Sequence, residues 1–355
     1  MKNIAILCNY QLLESRIGGM DYFYWLFDAE CKKLNYQITW LFPNPEDFGN
    51  YAELNILCPK ENQSIETFFI DYCNQNNLVY DIVITHFLEL CTSFFKSCKP
   101  YSKKIIAVDH NPRPLNGYPF KKRMIKKIKG YLYSQYIDLL VGVSQYTKDE
   151  IIKDFGKKVS KKTIVVYNGI LTSNYKKRNE RAAIKPKFLV VSHLRESKGI
   201  QDLIVAVSLL PEQIKNELKI DLYGEGPYEN VLRKNVKENV LEAVFNFKGS
   251  VSNLYDIYAQ YDYLLQPTHM ECFSLSILES LCSNVPVITT NVGGNEEAVI
   301  NNKNGYIFQA KNSIRLSEII KSLFTGEKAI KEDTSILIKT NFTIQKMVQN
   351  YIDIL

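Results

Sequence analysis

Two carboxylates stand eight positions apart in the stretch ECFSLSILE, from Glu271 to Glu279, with no charged residue between them. On one continuous helix their side chains would lie about 80° apart around the axis and about 12 Å apart along it, too far to share a proton. The spacing instead favours a helix that begins after Glu271 and carries Glu279 in its second turn. Each carboxylate would then contact a different part of one long ligand.

The residues around this pair predict where the helix begins and ends. Ser274 is a suitable N-cap for a helix that runs to about Leu281. Asn284 can adopt the left-handed conformation that ends many helices, and Pro286 opens the next strand. The backbone amides at the helix start are predicted to stay free for an anion such as a diphosphate. The residues that carry these amides are Cys272, Phe273, Ser274 and Leu275.

Three further stretches place glycines or cations between a strand and a helix. Paired or alternating glycines allow a backbone to approach a ligand closely, and cations at a helix start suit a diphosphate. Taken alone, each stretch is equally well explained as an ordinary turn or as surface charge. The candidate diphosphate-binding residues in these stretches are Gly18, Gly19, His193, Arg195, Lys198 and Gly224.

Apolar runs typical of strands alternate with helix-length segments along nearly the whole chain. Seven runs lie in the first half and six in the second, and such unbroken runs predict parallel sheets covered on both faces. In doubly wound sheets, ligands bind beyond the C-terminal ends of the strands. We therefore predict an α/β protein with two Rossmann-like domains, residues 1–170 and 187–339, joined by a linker at 171–186. A C-terminal helix is predicted at 340–355, and one option is that it packs back on the first domain.

The composition suits a soluble protein of two domains. The chain has 355 residues, of which 46% are hydrophobic and 23% charged. No segment approaches the ~18 uninterrupted apolar residues that a membrane span requires. The eight cysteines show no C-x-x-C spacing, which indicates free thiols in a reducing cytosol. The expected location is therefore the cytoplasm.

The net charge of +6 is concentrated in one segment. Residues 119–133 read PFKKRMIKKIKGYLY, a basic amphipathic pattern with aromatic edges. Such a segment is typical of a helix on an anionic membrane surface, although a solvated helix face explains the charge equally well. No nucleic-acid recognition motif accompanies it, so nucleic acid is not expected as a partner. The cations assigned to this membrane or acceptor surface are Lys121, Lys122, Arg123, Lys126, Lys127 and Lys129.

Together these motifs resemble those of the retaining nucleotide-sugar glycosyltransferases with the GT-B fold, family 4 (glycosyl transferases group 1). The family pattern is a Glu, seven residues, a second Glu, a glycine-containing turn, Pro-Val and Gly-Gly-x-x-Glu. Here these positions are Glu271, Glu279, Asn284, Pro286-Val287 and Gly293 to Glu297. Further agreement in order and spacing is found at Gly18-Gly19, His110, Val143-Ser144, Tyr167-Asn168-Gly169, Lys198-Gly199, Gly224 to Pro227 and Phe247-Lys248-Gly249.

The resemblance implies a role for each carboxylate and for the cations near them. The two domains would face each other across a cleft. Glu271 would hydrogen-bond hydroxyls of the donor sugar, and Glu279 would hydrogen-bond the nucleotide ribose. Lys198 and the amides after Glu271 would neutralise the diphosphate leaving group. Gly18-Gly19 would close on the phosphates from the other domain, and His110 would lie near the donor sugar and the acceptor.

The resemblance also implies a reaction. A hexose-type sugar would move from a UDP- or GDP-sugar to a glycan or a lipid-linked glycan with its anomeric configuration retained. Hydrogen-bond donors held against the diphosphate would be the main catalytic contribution. The chain contains no Asp-x-Asp, so no metal and no cofactor are expected, and the nucleotide-sugar is a co-substrate. The expected setting is assembly of a bacterial surface polysaccharide (lipopolysaccharide or capsule) at the inner face of the cell membrane.

The sequence departs from the family pattern at the phosphate-binding motif. The family usually has Gly-Arg-Leu, whereas this chain has Ser192-His193-Leu194. A neutral His is a poorer diphosphate partner than Arg, unless Arg195 turns inward. Cys272 and Ser274 occupy positions that are usually Gly, which would narrow the sugar pocket. Two alternatives therefore stay open: a non-catalytic transferase-like subunit that binds carbohydrate or stabilises a partner, and a sugar-nucleotide epimerase.

Overall fold

A computed structural model describes residues 2–251 and 253–355 of the chain, which divides into two compact units. The first unit comprises Met1–Gly169 together with Ile344–Leu355, and the second comprises Ile170–Thr343. Each unit contains one sheet, and all strand pairs within it are parallel.

Each of the thirteen observed strands overlaps one of the predicted apolar runs. The first sheet contains β1 (Lys2–Cys8), β2 (Tyr36–Leu41), β3 (Ile56–Leu57), β4 (Tyr80–His86), β5 (Ser102–Asp109), β6 (Leu139–Gly142) and β7 (Thr163–Val165). The second contains β8 (Phe188–Val191), β9 (Ile220–Tyr223), β10 (Phe245–Gly249), β11 (Tyr263–Gln266), β12 (Val287–Thr290) and β13 (Gly305–Phe308).

Helices connect most of these strands. They are α1 (Gly19–Lys33), α2 (Ile65–Asn76), α3 (Ser93–Cys98), α4 (Phe120–Tyr133), α5 (Gln145–Phe155), α6 (Ile200–Ser208), α7 (Glu212–Lys215), α8 (Glu229–Glu238), α9 (Leu254–Ile257), α10 (Leu275–Cys282), α11 (Asn295–Ala298), α12 (Ser313–Phe324), α13 (Ser335–Asn341) and α14 (Ile344–Ile352). Within the described ranges, no helix is both long and apolar enough to cross a bilayer.

The strand order identifies where each sheet can bind a ligand. The first sheet has the order β3-β2-β1-β4-β5-β6-β7, and the second has the order β10-β9-β8-β11-β12-β13. The order therefore reverses between β1 and β4 in one sheet and between β8 and β11 in the other. Such reversals create a crevice at the C-terminal ends of the two neighbouring strands. The α/β, doubly wound prediction is confirmed for both units.

The segment predicted as a linker, residues 171–186, belongs to the second unit. Arg178 pairs with the buried carboxylate of Asp262 at 2.7 Å. Arg181 donates to the backbone oxygen and to the side-chain oxygen of Asn284, each at 2.8 Å. These guanidinium contacts hold the segment against the sheet because Asp262 and Asn284 flank strands β11 and β12.

The last helix, α14, packs in the first unit. Tyr351 is fully buried there, with its ring centroid 5.0 Å from that of Phe23 and 5.8 Å from that of His86. Phe23 lies on α1 and His86 ends β4. The C-terminal helix therefore completes the core of the domain that contains the start of the chain.

Candidate active site

The two central residues of the second unit meet at its strand-order reversal. Lys198 ends a short 3-10 turn after β8, and Glu271 lies in the loop between β11 and α10. The Lys198 ammonium lies 2.9 Å from Glu271 Oε2, and the side chains are 24% and 15% exposed. The prediction assigned these residues to different parts of a ligand. The structure joins them in one ion pair at the crevice that the topology creates.

The amides at the start of α10 are not all free, in contrast to the prediction. The Cys272 amide donates to Glu271 Oε1 at 3.1 Å, because the carboxylate folds back over the next peptide. The Phe273 side chain is buried and packs against Phe342 at a centroid distance of 5.2 Å. Leu275 begins the helix, as the predicted N-cap at Ser274 requires, and Cys282 ends it, one residue beyond the predicted end.

Ser274 occupies the N-cap position, but its hydroxyl caps no helix amide. It accepts a hydrogen bond from Gln266 Nε2 at 2.6 Å and lies 3.0 Å from Ser276 Oγ. The serine is buried against the end of β11, and its hydroxyl contacts the side chains of Gln266 and Ser276 instead of a helix amide. The predicted helix boundary is therefore right, and the predicted cap hydrogen bond is wrong. Asn284 has the predicted left-handed conformation, with φ of 59°.

Glu279 lies in the second turn of α10, where the sequence predicted it. Its carboxylate accepts a hydrogen bond from the Tyr258 hydroxyl at 2.7 Å and also interacts with Tyr175. Burial raises the pKa of Glu279, and the two tyrosine hydrogen bonds partly oppose that rise. Tyr258 and Tyr175 therefore fix the position of the Glu279 carboxylate. Neither tyrosine was predicted as a site residue, because neither adjoins a motif.

Two glycines allow the loops around Glu271 to pack closely against one another. A Cβ on Gly199 would lie 1.8 Å from the carbonyl oxygen of Pro267, and one on Gly293 would lie 2.1 Å from that of Glu271. Both glycines also have a positive φ, of 68° and 63°. Only glycine fits these positions, because a side chain would collide with the backbone of the neighbouring loop. The loop that carries Glu271 is thus held from both sides.

The loop after β8 carries two of the predicted donor-binding residues and is contacted by a third. Gly224 packs on this loop, since a Cβ there would lie 1.9 Å from the carbonyl oxygen of Ser192. The glycine is therefore required by packing whether or not a ligand approaches. His193 and Arg195 are both exposed, and the Arg195 amide donates to the His193 carbonyl at 2.9 Å.

A pair of histidines lies at the C-terminal ends of β4 and β5, beside the strand-order reversal of the first unit. His110 follows β5, and its Nε2 lies 2.9 Å from Nδ1 of His86 at the end of β4. The ring of Phe87 stacks on His110 at a centroid distance of 4.2 Å and an interplanar angle of 18°. His86 was not predicted as a site residue. Its position at the C-terminal end of a strand beside β1 was the available signal.

Burial keeps both imidazoles neutral. It lowers the pKa of His110 to about 4, against a smaller opposing effect of Asp109. The pKa of His86 lies well below its usual value, because the ring is buried and His110 is adjacent. In a neutral pair one ring nitrogen donates and the other accepts. His110 is therefore a hydrogen-bonding group at neutral pH and carries no charge.

A buried carboxylate already occupies the start of α1. Asp21 accepts hydrogen bonds from the Gly18 amide at 2.8 Å and from the Tyr51 hydroxyl at 2.5 Å. Burial raises the pKa of Asp21, and these hydrogen bonds oppose the rise. The Gly18 amide, predicted to be open to donor phosphates, is therefore taken by the third residue of the helix. Gly19 is the first residue of α1.

Two of the six cations assigned to a membrane or acceptor surface form ion pairs with acidic side chains. Lys126 is buried and lies 3.2 Å from Asp154. Lys129 lies 2.7 Å from Glu89. Lys126 is excluded from the surface by its place on the inner face of α4. The four that remain exposed are Lys121, Lys122, Arg123 and Lys127.

Comparison with known families identifies the chain. Residues 172–337 match the model of the glycosyl transferases group 1 family, and residues 71–174 match that of Glycosyltransferase Family 4. The chain belongs to the group 1 glycosyl transferases. Within this family it is 26% identical over 210 residues to a glycogen synthase of Mycobacterium tuberculosis, a match that covers 58% of this chain and 50% of that relative. The chain thus spans about half of that relative's length.

Other relatives of this group 1 transferase match over more of their length. An uncharacterized glycosyltransferase of Methanocaldococcus jannaschii is 25% identical over 336 residues, which cover 87% of this chain and 82% of that protein. Among solved structures, Anabaena HepE in complex with UDP and glucose has a TM-score of 0.77 at 17% identity, with 100% and 99% of the two chains covered. Sucrose-phosphate synthase of Thermosynechococcus elongatus has a TM-score of 0.78 at 15% identity, with 100% and 98% covered. These likenesses establish the GT-B fold.

Proposed function

We propose that this protein transfers a hexose-type sugar from a UDP- or GDP-sugar to a glycan or lipid-linked glycan, with retention of anomeric configuration. The observation that carries the proposal is the Lys198–Glu271 pair at the reversal of strand order in the second unit. Its family and the presence of UDP in Anabaena HepE support a nucleotide-sugar donor.

In this proposal Lys198 stabilises the departing diphosphate. Cleavage of the anomeric C–O bond transfers the bonding electrons to the diphosphate, so negative charge grows on its oxygens. A fixed ammonium is most effective where that charge develops. Glu271 holds the ammonium at 2.9 Å before any donor binds, so little reorganisation is needed. The same carboxylate retains lone pairs for hydroxyl groups of the donor sugar.

Glu279 is proposed to bind the two hydroxyls of the nucleotide ribose. Its carboxylate is half-buried and already accepts a tyrosine hydrogen bond from Tyr258. A ribose diol supplies two further donors to the same group. Because burial raises the pKa of Glu279, we expect this binding to weaken when the solution is acidified.

His110 is proposed to contact the donor sugar or the acceptor hydroxyl as a neutral group. His86 engages Nε2 of this ring, so Nδ1 is the nitrogen that we assign to the substrate. A neutral imidazole can accept or donate a hydrogen bond without opposing the oxocarbenium character of the sugar.

We propose that the reaction needs neither a carboxylate nucleophile nor a metal. The acceptor would attack from the face that the diphosphate leaves, and a phosphate oxygen would take its proton. The proposed setting is assembly of a bacterial surface polysaccharide in the cytoplasm at the membrane. The anomeric configuration of the product, read by proton NMR, tests retention.

The decisive experiment is a thermal-shift and calorimetry screen against UDP-, GDP-, ADP- and CMP-sugars, each with and without EDTA. One UDP- or GDP-sugar is expected to stabilise the protein, by about 2.7 kcal/mol at a concentration 100 times its Kd. EDTA should leave that stabilisation unchanged. If no sugar nucleotide binds at millimolar concentration, the proposal fails, and the non-catalytic alternative that His193 kept open replaces it.

A further inference from the structure

Helix α4 presents its apolar side chains to solvent. Phe120 is 70% exposed, Tyr131 67% and Ile128 54%. At about 100° per residue, the six exposed apolar side chains of the helix fall within an arc of about 140°. A helix that packs on a core normally turns such an arc inward. The other three exposed apolar side chains are Met124, Ile125 and Leu132.

The inner face of α4 is polar and closely packed instead. Lys126 on this face is buried against Asp154 and lies 4.9 Å from the ring centroid of Phe155. A Cβ added to Gly130 would lie only 2.3 Å from the Phe155 carbonyl oxygen. The glycine therefore allows the helix backbone to lie directly on the end of α5.

A buried ion network fixes this orientation. Arg113 lies 2.7 Å from Asp109 and 2.9 Å from Asp154, and all three side chains are buried. Asp154 therefore has two cationic partners, Arg113 and Lys126. A rotation of α4 about its axis that buried its apolar arc would separate Lys126 from the buried Asp154 carboxylate. Such a separation is strongly unfavourable. The outward apolar face is thus a stable property of the fold.

The outer face also carries positive charge. Helix α4 contains no acidic residue. In the described part of the chain, none of the four exposed cations on it forms an ion pair. Lys158, from the next segment, lies over the ring of Tyr131 at 4.4 Å and adds a further charge beside the arc. The four cations are Lys121, Lys122, Arg123 and Lys127.

We propose that α4 inserts its apolar arc into the surface of a bilayer that contains anionic phospholipid. A helix face that combines exposed apolar side chains with Lys and Arg suits a partner that offers both acyl chains and phosphates. A nucleic acid would match the cations and leave Phe120, Ile128 and Tyr131 in water. Insertion of these apolar side chains goes beyond the electrostatic membrane contact that the sequence predicts for the helix. It does not depend on the proposed reaction.

Vesicle co-sedimentation tests the insertion. The wild-type protein is expected to bind phosphatidylcholine vesicles that contain one-third phosphatidylglycerol more tightly than vesicles of phosphatidylcholine alone. The variant Phe120→Ser/Ile128→Ser/Tyr131→Ser should weaken that binding at least about tenfold, since three apolar side chains no longer leave water. A control with exposed apolar residues changed elsewhere should bind like wild type: Val240→Ser/Ile314→Ser/Ile336→Ser.

A charge variant separates insertion from adsorption. Lys121→Gln/Lys122→Gln/Lys127→Gln should lose about fivefold in affinity per charge, because each cation near the surface contributes ~1 kcal/mol. Equal vesicle binding by the apolar variant and wild type would overturn the proposal. So would the absence of any preference for anionic lipid, or self-association of wild type through α4 that the apolar variant lacks. Donor-induced thermal shifts should be the same in all variants, so failure here is distinct from failure of the proposed reaction.

Discussion

At Glu271 the carboxylate has two partners before any ligand arrives. One oxygen pairs with Lys198 and the other accepts the Cys272 amide. The sequence predicted both Glu271 and Lys198 as site residues, because each follows a strand and precedes a helix. It did not predict that they pair, since their separation of 73 positions carries no signal of contact. Such pairs become visible only when the order of strands is known.

Replacement of Glu271 by Gln should separate chemistry from stability. The amide keeps the shape and loses the charge, so transfer should fall by about 10²–10³, the typical loss for one transition-state hydrogen-bonding group. The free energy of unfolding should fall by only about 1 kcal/mol, because the pair is partly exposed. Sugar transfer and urea unfolding measure the two effects. Glu242→Gln, at an exposed position, is the control and should change neither. Full sugar transfer by the Glu271→Gln variant would show that the Glu271 carboxylate has no role in the reaction.

The two neutral histidines predict a loss of stability in acid. The folded-state pKa of His110 is about 4, whereas an unfolded histidine titrates near 6.5. Between these values the unfolded chain binds more protons, so stability must fall as the pH falls through this window. For His110 the total loss is on the order of 3 kcal/mol.

Urea unfolding at pH 7, 6 and 5 measures this dependence. The variant His86→Gln/His110→Gln should lose less stability over the same range, because glutamine can hydrogen-bond without titrating. NMR should detect neutral His110 down to about pH 4 in the wild-type protein. A histidine that titrates at its ordinary pKa would contradict the burial of the pair.

At the scale of elements, the apolar runs were sufficient to predict the thirteen strands of the described ranges, because most strand residues of each parallel sheet are buried or half-buried. The boundaries of α10 followed from Ser274 and Asn284. Which face of α4 packs against the domain could not be predicted. An amphipathic pattern identifies two faces and does not say which one packs, and here Gly130 and Lys126 reverse the usual choice. The Asp21 cap on α1 was missed for a related reason, because the sequence alone does not distinguish a buried aspartate from one on the surface.

Two glycines with nearly equal φ angles allow a matched test of the contact between the loops around Glu271. Gly199 has a φ of 68° and faces the Pro267 carbonyl, whereas Gly249 has a φ of 69° and meets nothing closer than 3.5 Å. Gly249→Ala should cost about 1 kcal/mol from backbone strain alone. Gly199→Ala should cost roughly 3 kcal/mol or more, because the loop that carries Glu271 must also move. Circular dichroism during urea unfolding compares them. Equal losses would mean that the loops do not restrain each other.

At the scale of the whole molecule, α14 makes the stability of the first unit depend on a distant segment. Tyr351→Ala should lower the free energy of unfolding of that unit by about 3–5 kcal/mol, because a large buried ring is removed. In the described part of the chain, the Tyr351 hydroxyl has no hydrogen-bond partner. Tyr351→Phe should therefore be neutral or stabilising.

Tryptophan fluorescence is the measurement for this pair of variants. The two tryptophans of the chain, Trp25 and Trp40, both lie in the first unit. Their emission therefore reports the unfolding of that unit alone. An unchanged midpoint for Tyr351→Ala would show that α14 contributes nothing to the domain.

The division of the first unit into two segments also sets a delay during synthesis. After Gly169 is added, the ribosome must translate all of Ile170–Thr343, which is 174 residues, before α14 exists. At 5–20 residues per second this takes roughly 9 to 35 s. During that interval the surface formed by Phe23 and His86 lacks Tyr351. The second unit, whose segment is continuous, can complete its fold first, and the first unit is completed after it.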